Sequence, residues 1–304
     1  MDQKLTTLLT LIETGSYTQA AKQLSLTQPA VSQHISRLES EFGIKLFNRV
    51  QGQYILTEEG KIVVQYAHRA QVLEASVRQK LIDHRSNQQR FTIGVTHTTE
   101  SNILVDVIAK YCDLHDGIKI NIISDDINIL YSRLKAFAID IAFVEGRIAD
   151  PGFSTVLLDT DSLILAVSPQ HPFAKRGSIS ILELQQEKLI MRLPDSGTRK
   201  LFESHLISRN LSIEDFNVIL EIDNIATIKD LIRKNFGVSI LAKSACQDEL
   251  NKKKLVALPI EDLSMIREIN IVYHKDFTQK AFLNDIIRLY YEESHQAQRS
   301  RPIS

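Results

Sequence analysis

The period of the hydrophobic residues changes near residue 90, and this change constrains the fold more than any other feature of the sequence. Before it, apolar residues such as Leu5, Leu8 and Ile12 recur every three or four positions, which is typical of amphipathic helices. After it, short apolar runs such as residues 91–95 alternate with helical patterns, which favours an α/β architecture with largely parallel sheets. The sequence therefore predicts a helical front part and a larger α/β rear part.

The composition is that of a folded protein without a disulfide framework. Of the 304 residues, 43% are hydrophobic and 24% are charged, and the two cysteines, Cys112 and Cys246, have no metal-ligand spacing around them. No apolar run reaches the roughly 18 residues that span a bilayer, and residues 1–4 do not introduce a signal peptide. We therefore expect a cytoplasmic protein with no membrane partner.

The charge is distributed unevenly between the two parts. Residues 1–90 carry 11 lysines and arginines against 8 aspartates and glutamates, whereas residues 91–304 carry 25 against 29. A basic front part joined to an acidic rear part is typical of a nucleic-acid-binding module attached to a different kind of domain.

Residues 16–42 have the pattern of two helices joined by a short turn, with a helix-turn-helix motif at about 18–37. Two helical segments flank a break at residues 25–27, and Thr27 and Pro29 suit the cap and the first turn of the second segment. In that segment four apolar residues share one face and are expected to be buried: Val31, Ile35, Leu38 and Phe42. The opposite face is small and polar with one arginine, which suits the major groove of DNA. The alternative is an ordinary amphipathic helix with a solvated back.

The residues themselves decide between these alternatives. Residues 15–39, GSYTQAAKQLSLTQPAVSQHISRLE, closely resemble the winged helix-turn-helix of LysR-type transcriptional regulators, as do residues 42–49 and 56–60. The family often has more basic residues in the wing than residues 50–53 provide, which leaves Arg49 as the main cation there. We expect Gln33 to contact base edges, and Arg37 and Arg49 to contact phosphates. The predicted DNA-binding residues are Thr18, Gln28, Pro29, Ser32, Gln33, Ser36, Arg37 and Arg49.

The resemblance covers the whole chain and implies its domain organisation. It implies a winged helix-turn-helix at 1–60, a linker and dimerisation helix at 61–88, and an effector-binding domain at 89–304. Lobe I would comprise about 89–161 and 266–304, and lobe II about 162–265, as in a periplasmic binding protein. The helical period independently predicts one long helix over about 58–84.

The long helix is expected to carry the contact between two copies of the chain. The predicted contact residues are Ile62, Tyr66, Leu73 and Val77. The resemblance implies that the chain forms a homodimer, or a homotetramer built as a dimer of dimers. A two-fold dimer presents two recognition helices, so the expected DNA partner is double-stranded DNA with an interrupted inverted repeat.

Two polar loops that each open a helix predict the effector site between the lobes. Helix N-termini favour anions, so we expect a small anion or a compound with a carboxylate. The predicted effector-binding residues are Thr96, Thr98, Thr99, Glu145, Gly146, Ser196, Thr198, Arg199 and Asn224. The alternatives are helix capping for Thr98 and Thr99, and a structural ion pair for Arg199. Residues 144–146 and 196–199 also resemble sulfur-metabolism members of the family.

Other classes of function find little support in the sequence. It contains no nucleophile elbow, HExxH, CxxC, P-loop or GxGxxG motif, so we expect no catalytic residues, metal ligands or cofactors. A solute-binding protein of a transport system would share the fold of the rear part. The absent signal peptide and the fused DNA-binding motif argue against that alternative.

Overall fold

The computed structural model of the protein describes residues 2–50, 53–86, 88–100 and 103–299. The chain divides into two units, the first with residues 1–89 and 135–138, the second with residues 90–134 and 139–304. Residues 51 and 52, in the predicted wing, lie outside the described residues. No helix in the described part of the chain is both long and apolar enough to cross a membrane.

The first unit contains four helices and a two-stranded wing. Its elements are α1 (Gln3–Thr14), α2 (Tyr17–Gln23), α3 (Gln28–Phe42), β1 (Phe47–Val50), β2 (Gln53–Leu56) and α4 (Glu58–Arg85). The side chains of Asp2, Ser16 and Thr27 cap the first three helices by accepting hydrogen bonds from backbone N–H groups. Gly43 ends α3 with a φ of 66°, a left-handed conformation that favours glycine. The polar break between α2 and α3 therefore folds as the sequence predicts.

The core of this unit lies between α1, α2, α3 and the first turns of α4. Val31, Ile35 and Leu38 are buried in it, as predicted. The prediction that Phe42 is buried is wrong, because its side chain is 47% exposed. Phe42 is the last residue of α3, one turn beyond Leu38, and its ring packs edge-on against Tyr66 of α4 with centroids 6.2 Å apart.

The helix α4 has 28 residues and is about 42 Å long at 1.5 Å per residue. Only its beginning contributes to the core, through Val63 and Ala67. The four residues predicted to contact a second copy of the chain are all exposed: Ile62, Tyr66, Leu73 and Val77. An apolar stripe therefore follows the helix without cover from the described residues of the same unit.

The second unit alternates strands and helices. Its strands are β3 (Gln89–Val95), β4 (Ile118–Ser124), β5 (Ile141–Glu145), β6 (Phe153–Val167), β7 (Leu189–Met191), β8 (Val218–Glu221), β9 (Ser239–Ala242), β10 (Val256–Leu258) and β11 (Ile266–His274). Its helices are α5 (His97–Glu100), α6 (Leu104–Leu114), α7 (Ile127–Lys135), α8 (Ile181–Gln185), α9 (Gly197–Ile207), α10 (Ile225–Arg233), α11 (Gln247–Asn251) and α12 (Lys280–Arg299).

The strands form a seven-stranded sheet of order β10-β6-β11-β5-β3-β4, in which β9 also pairs with β6, and a separate pair β7-β8. The pairs β3-β5 and β7-β8 are parallel. The expectation of largely parallel sheets is wrong for β6 and β11, which pair antiparallel with each other and with β5, β9 and β10. They run in opposite directions because the chain leaves the first part of this unit along β6 and returns along β11.

The second unit has two separate sets of hydrophobic cores. One set is built from residues between 91 and 158 and between 269 and 290, and we call this part lobe I. The other set is built from residues between 163 and 265, and we call this part lobe II. The strand β6 passes from one lobe into the other, pairing with β11 over residues 153–162 and with β9 and β10 over residues 163–167.

Candidate functional site

The polar face of α3 is open to solvent, together with the neighbouring residues predicted to contact DNA. All eight predicted side chains are exposed: Thr18, Gln28, Pro29, Ser32, Gln33, Ser36, Arg37 and Arg49. Neither Arg37 nor Arg49 forms an ion pair within the described residues. This surface can therefore offer two arginines to phosphates and short polar side chains to base edges.

Glu39 of α3 holds the segment that leads into the wing, and this segment in turn contacts the start of α4. Glu39 accepts hydrogen bonds from the Leu46 backbone N–H at 2.9 Å and from Lys45 Nζ at 2.8 Å. A Cβ on Gly60 would lie 2.3 Å from the Leu46 carbonyl oxygen, so only glycine allows α4 to start this close to the wing. Burial beside Tyr54 raises the pKa of Tyr17 to about 12, which keeps this phenol neutral in the core of the motif.

A buried charged network lies where lobes I and II meet. Arg267 Nη2 lies 3.4 Å from Asp161 Oδ2 and 3.6 Å from Glu145 Oε1, and these three side chains are 7%, 4% and 8% exposed. Thr96 Oγ1 donates to Glu145 Oε2 at 2.5 Å, and Thr99 Oγ1 donates to Glu145 Oε1 at 3.2 Å. Two of the predicted threonines therefore hold the predicted glutamate in place in lobe I.

The same network reaches the predicted loop of lobe II. Arg267 Nη1 donates to Thr198 Oγ1 at 3.4 Å. Thr98 of lobe I is also buried. The structure thus brings together Thr96, Thr99, Glu145 and Thr198, which are separated by up to about 100 positions in the sequence.

Three other predicted residues have backbone roles. Ser196 caps α9 by accepting from the Arg199 N–H at 3.2 Å, and Asn224 caps α10 by accepting from the Thr227 N–H at 3.0 Å. Gly146 has a φ of 72°, and its carbonyl accepts from Asn270. These contacts fix the ends of the two helices and of β5 at the junction between the lobes.

The surroundings of Arg199 favour the structural ion pair over a ligand contact. Its Nε donates to Glu203 at 2.7 Å, and its Nη1 donates to the Arg192 carbonyl oxygen at 3.2 Å and to Glu221. Burial disfavours the charged form of Arg199, yet the two glutamates outweigh that effect and raise its pKa. The guanidinium group therefore already has acceptors from its own lobe.

Three charged residues of the junction were missed by the sequence analysis: Asp161, Arg192 and Arg267. Arg192 follows β7 directly and is 2% exposed. Its Nη2 donates to Asp223 Oδ1 at 2.9 Å, but its Nε and Nη1 have no hydrogen-bond partner among the described residues. An unsatisfied buried donor costs about 1–3 kcal/mol, so its presence requires an explanation. A lone cation directly after an apolar strand is the signal that could have identified Arg192.

More positive groups than negative groups are buried at this junction among the described residues. The buried arginines are Arg192, Arg199 and Arg267, whereas Glu145 and Asp161 are the buried carboxylates of the network. The carboxylate that pairs with Arg192 belongs to Asp223, whose side chain is 52% exposed. Such an arrangement can bind an anion, because water screens the exposed carboxylate but not the buried guanidinium groups.

A cavity of about 540 Å³ adjoins the network through Asp161. Lobe I contributes Asp106 and Tyr290 to its wall, and lobe II contributes Lys229 and Lys243. Its volume lies in the range of small-molecule sites.

The described residues contain no group of three or more His, Cys, Asp or Glu side chains that could hold a metal ion. The thiol of Cys246 is buried, and this burial raises its pKa to about 12. Cys246 is therefore protonated at neutral pH and suited to packing rather than to redox chemistry.

Both parts of the chain match sequence models of known protein families. Residues 3–61 match the sequence model of the bacterial regulatory helix-turn-helix protein, lysR family, and residues 84–293 match that of the LysR substrate binding domain. A probable RuBisCO transcriptional regulator from Thalassiosira pseudonana is 30% identical, covering 88% of this chain and 89% of the relative. The HTH-type transcriptional regulator CysL from Bacillus subtilis is 25% identical over 97% of both chains.

The fold is similar to that of solved full-length structures. That of CbnR complexed with its target DNA superposes with a TM-score of 0.66, covering 95% of this chain and 98% of CbnR at 15% identity. Full-length BenM superposes with a TM-score of 0.59, covering 99% of each chain at 22% identity. At these identities the similarity concerns the fold, a helix-turn-helix followed by a two-lobe α/β domain.

Proposed function

Because this chain belongs to the LysR family of DNA-binding transcriptional regulators, which are not enzymes, we propose that it binds an interrupted inverted repeat under the control of a small anion held between lobes I and II. The observation that carries the anionic effector is the buried guanidinium of Arg192 at the lobe junction, whose Nε and Nη1 have no hydrogen-bond partner among the described residues. The compartment that we propose is the cytoplasm, where such a regulator has access to DNA.

For DNA recognition we assign base contacts to Gln33 and phosphate contacts to Arg37 and Arg49. Their exposure and the absence of ion pairs at both arginines within the described residues support this assignment. Selection of binding sites from random double-stranded DNA tests it. We expect two related half-sites in opposite orientation, whereas a single asymmetric site would contradict the two-fold arrangement.

For assembly we propose a homodimer through the exposed stripe of α4 and a homotetramer built from two such dimers. The exposure of Leu73 and Val77 on a helix of 28 residues supports this proposal, since an apolar stripe is stabilised by a partner. Sedimentation velocity of the full chain measures the outcome. The Leu73→Asp and Val77→Asp changes together should lower the association state, and an unchanged distribution would place the dimer contact elsewhere.

For the effector we propose an anion bound among the predicted loops, with Thr98 and Thr198 as its hydroxyl contacts. The network that joins Glu145 to Thr198 through Arg267 supports a site shared by both lobes. A ligand that stabilises one arrangement of the lobes can change how the DNA-binding motifs are held. Titration of an anion into the protein–DNA complex should change its dissociation constant. The combined Thr98→Ala and Thr198→Ala changes should weaken the response, and a full response would place the site elsewhere.

A further inference from the structure

We propose that Arg192 is the residue that anchors the effector, and that the effector therefore presents an oxyanion to lobe II. This inference rests on the proposed function, because it names the side chain and the ligand chemistry of the same site.

The first support is the set of hydrogen-bond donors that Arg192 leaves unused. A guanidinium group has five N–H donors, and the Nε and Nη1 atoms that lack partners in the described part of the chain account for three of them. The side chain is 2% exposed, so bulk solvent cannot easily satisfy these donors. By contrast, the Nε and Nη1 atoms of Arg199 both have acceptors. Arg192 is thus the buried arginine of lobe II with the capacity to accept a ligand.

The second support is the position of the one partner that Arg192 has. Asp223 Oδ1 accepts from Arg192 Nη2 at 2.9 Å, while Asp223 Oδ2 lies 4.0 Å from His97 Nε2 of lobe I. His97 stands between Thr96 and Thr98, in the predicted loop of lobe I. Arg192 is therefore separated from that loop by a single carboxylate, which places its guanidinium group beside the junction of the two lobes.

The third support is the exposure of Asp223, whose side chain is 52% accessible. An exposed carboxylate interacts weakly with its partner because water screens the charge. A ligand oxyanion enclosed between the lobes would interact with the same guanidinium without this screening. When a ligand binds Arg192, the hydrogen bond from Arg192 to Asp223 can therefore be kept or broken at little cost.

The donors also define the ligand class. Several N–H groups in one plane match the oxygens of a carboxylate, sulfate or phosphate, and they match a neutral molecule or a halide less well. Inorganic oxyanions and organic carboxylates share this chemistry. The probes in the experiment below separate these two sources.

The experiment follows the melting temperature of the full-length protein in sodium sulfate, sodium phosphate or sodium acetate, with sodium chloride matching the ionic strength. A native-state ligand raises the melting temperature with concentration, which yields an apparent dissociation constant. We expect at least one probe to bind, and Arg192→Met to weaken it at least tenfold. Arg192→Lys should bind with intermediate affinity, because it keeps the charge but loses the planar donors. A rise in melting temperature with sulfate or phosphate but not acetate indicates an inorganic ligand. A rise with acetate alone indicates an organic carboxylate.

The matched control is Arg176→Met, which removes an exposed arginine of the same lobe. It should keep the wild-type response. A response that Arg192→Met retains in full overturns this inference. If that response is then lost on combining Thr98→Ala with Thr198→Ala, the proposed site between the lobes remains valid without Arg192.

A second variant keeps the test decisive if Arg192→Met does not fold. Asp223→Asn removes the negative charge that competes for Arg192, so it should tighten binding of the probe at least twofold. Weaker binding in Asp223→Asn overturns the inference, as does the absence of any response to all three probes in the wild type. DNA binding measured on the same preparations tests the regulatory function separately.

Discussion

The exposed face of α3 and the junction between lobes I and II are both polar, but they hold their charges in opposite ways. On α3, Arg37 lies in solvent without an ion pair among the described residues. At the junction, Arg267 is buried between Asp161 and Glu145. The exposed face of α3 keeps its cations available, as the proposed contacts with DNA require, whereas the junction uses charge to hold its own loops. Substitutions on α3 should therefore change binding alone, and substitutions at the junction should change stability as well.

The strongest test of this contrast removes Arg267. Arg267→Met leaves the buried carboxylates of Asp161 and Glu145 without their shared partner, so we expect a loss of about 3–5 kcal/mol in the free energy of unfolding. Urea denaturation measures this loss. Arg37→Met, the matched change on α3, should alter the same quantity by at most about 0.5 kcal/mol. Equal losses in the two variants would remove the distinction between the regions.

The next largest effect concerns base recognition by α3. Gln33→Ala should cost about 1–3 kcal/mol in the free energy of DNA binding if its amide makes a bidentate contact. The loss should vanish on DNA already changed at the base pair that Gln33 contacts. Fluorescence anisotropy with the selected site and its single-base variants measures both values. Gln186→Ala, at an exposed glutamine of lobe II, serves as the control, and identical affinities for it and Gln33→Ala would contradict the assignment.

A smaller effect should distinguish phosphate contacts from base contacts. Arg49→Ala should weaken binding to all DNA sequences alike and reduce the slope of log K against log salt by about 1. Titrations between low and moderate salt on specific and random DNA supply the slope. Lys119→Ala removes an exposed cation of lobe I and should leave that slope as it is. A loss at Arg49 confined to one sequence would instead indicate base recognition.

The smallest expected effect concerns the pH dependence of stability that an exposed ion pair of lobe II, Arg176 and Glu183, contributes. A side-chain hydrogen bond from Arg176 and a backbone hydrogen bond from Ser180 lower the pKa of Glu183 from 4.5 to about 2. A lowered carboxylate pKa stabilises the fold above the unfolded value, and this contribution is lost as the pH falls from about 4.5 towards 2.

Glu183→Gln should therefore lower the melting temperature slightly at pH 7, and its difference from the wild type should shrink below pH 4.5. The pair is exposed, so salt should reduce the effect further. Glu214→Gln, at another exposed glutamate of lobe II, is the control. A difference that persists undiminished at pH 3 would show that the carboxylate charge is not its source.

The two regions also differ in how far sequence reasoning could predict them. The exposed face of α3 follows from the helical period, because its residues lie within a stretch of ten positions and point away from Val31 and Leu38. The error at Phe42 came from extending that period to the last residue of the helix.

The junction could not be predicted in the same way. Residues 153–162 of β6 include Asp159 and Asp161 and mix buried, half-buried and exposed positions without a strict alternation, so only the apolar residues 163–167 resembled a strand. The pairing of Arg267 with Asp161 joins positions 106 residues apart and follows from the register of β6 with β11. No local sequence pattern predicts this register, because it depends on how two strands that are distant in the sequence pair with each other.

The order in which β6 and β11 occur in the chain has a consequence for synthesis on the ribosome. Lobe II is one continuous segment and can close as soon as residue 265 has emerged. The sheet of lobe I cannot close by then, because β11 lies between β5 and β6 and is translated roughly a hundred residues after them. During that interval β5 lacks a neighbour on one edge, an aggregation-prone arrangement of the kind that chaperones protect. Lobe II begins after lobe I in the sequence, yet it is the first lobe whose strands have all been synthesised.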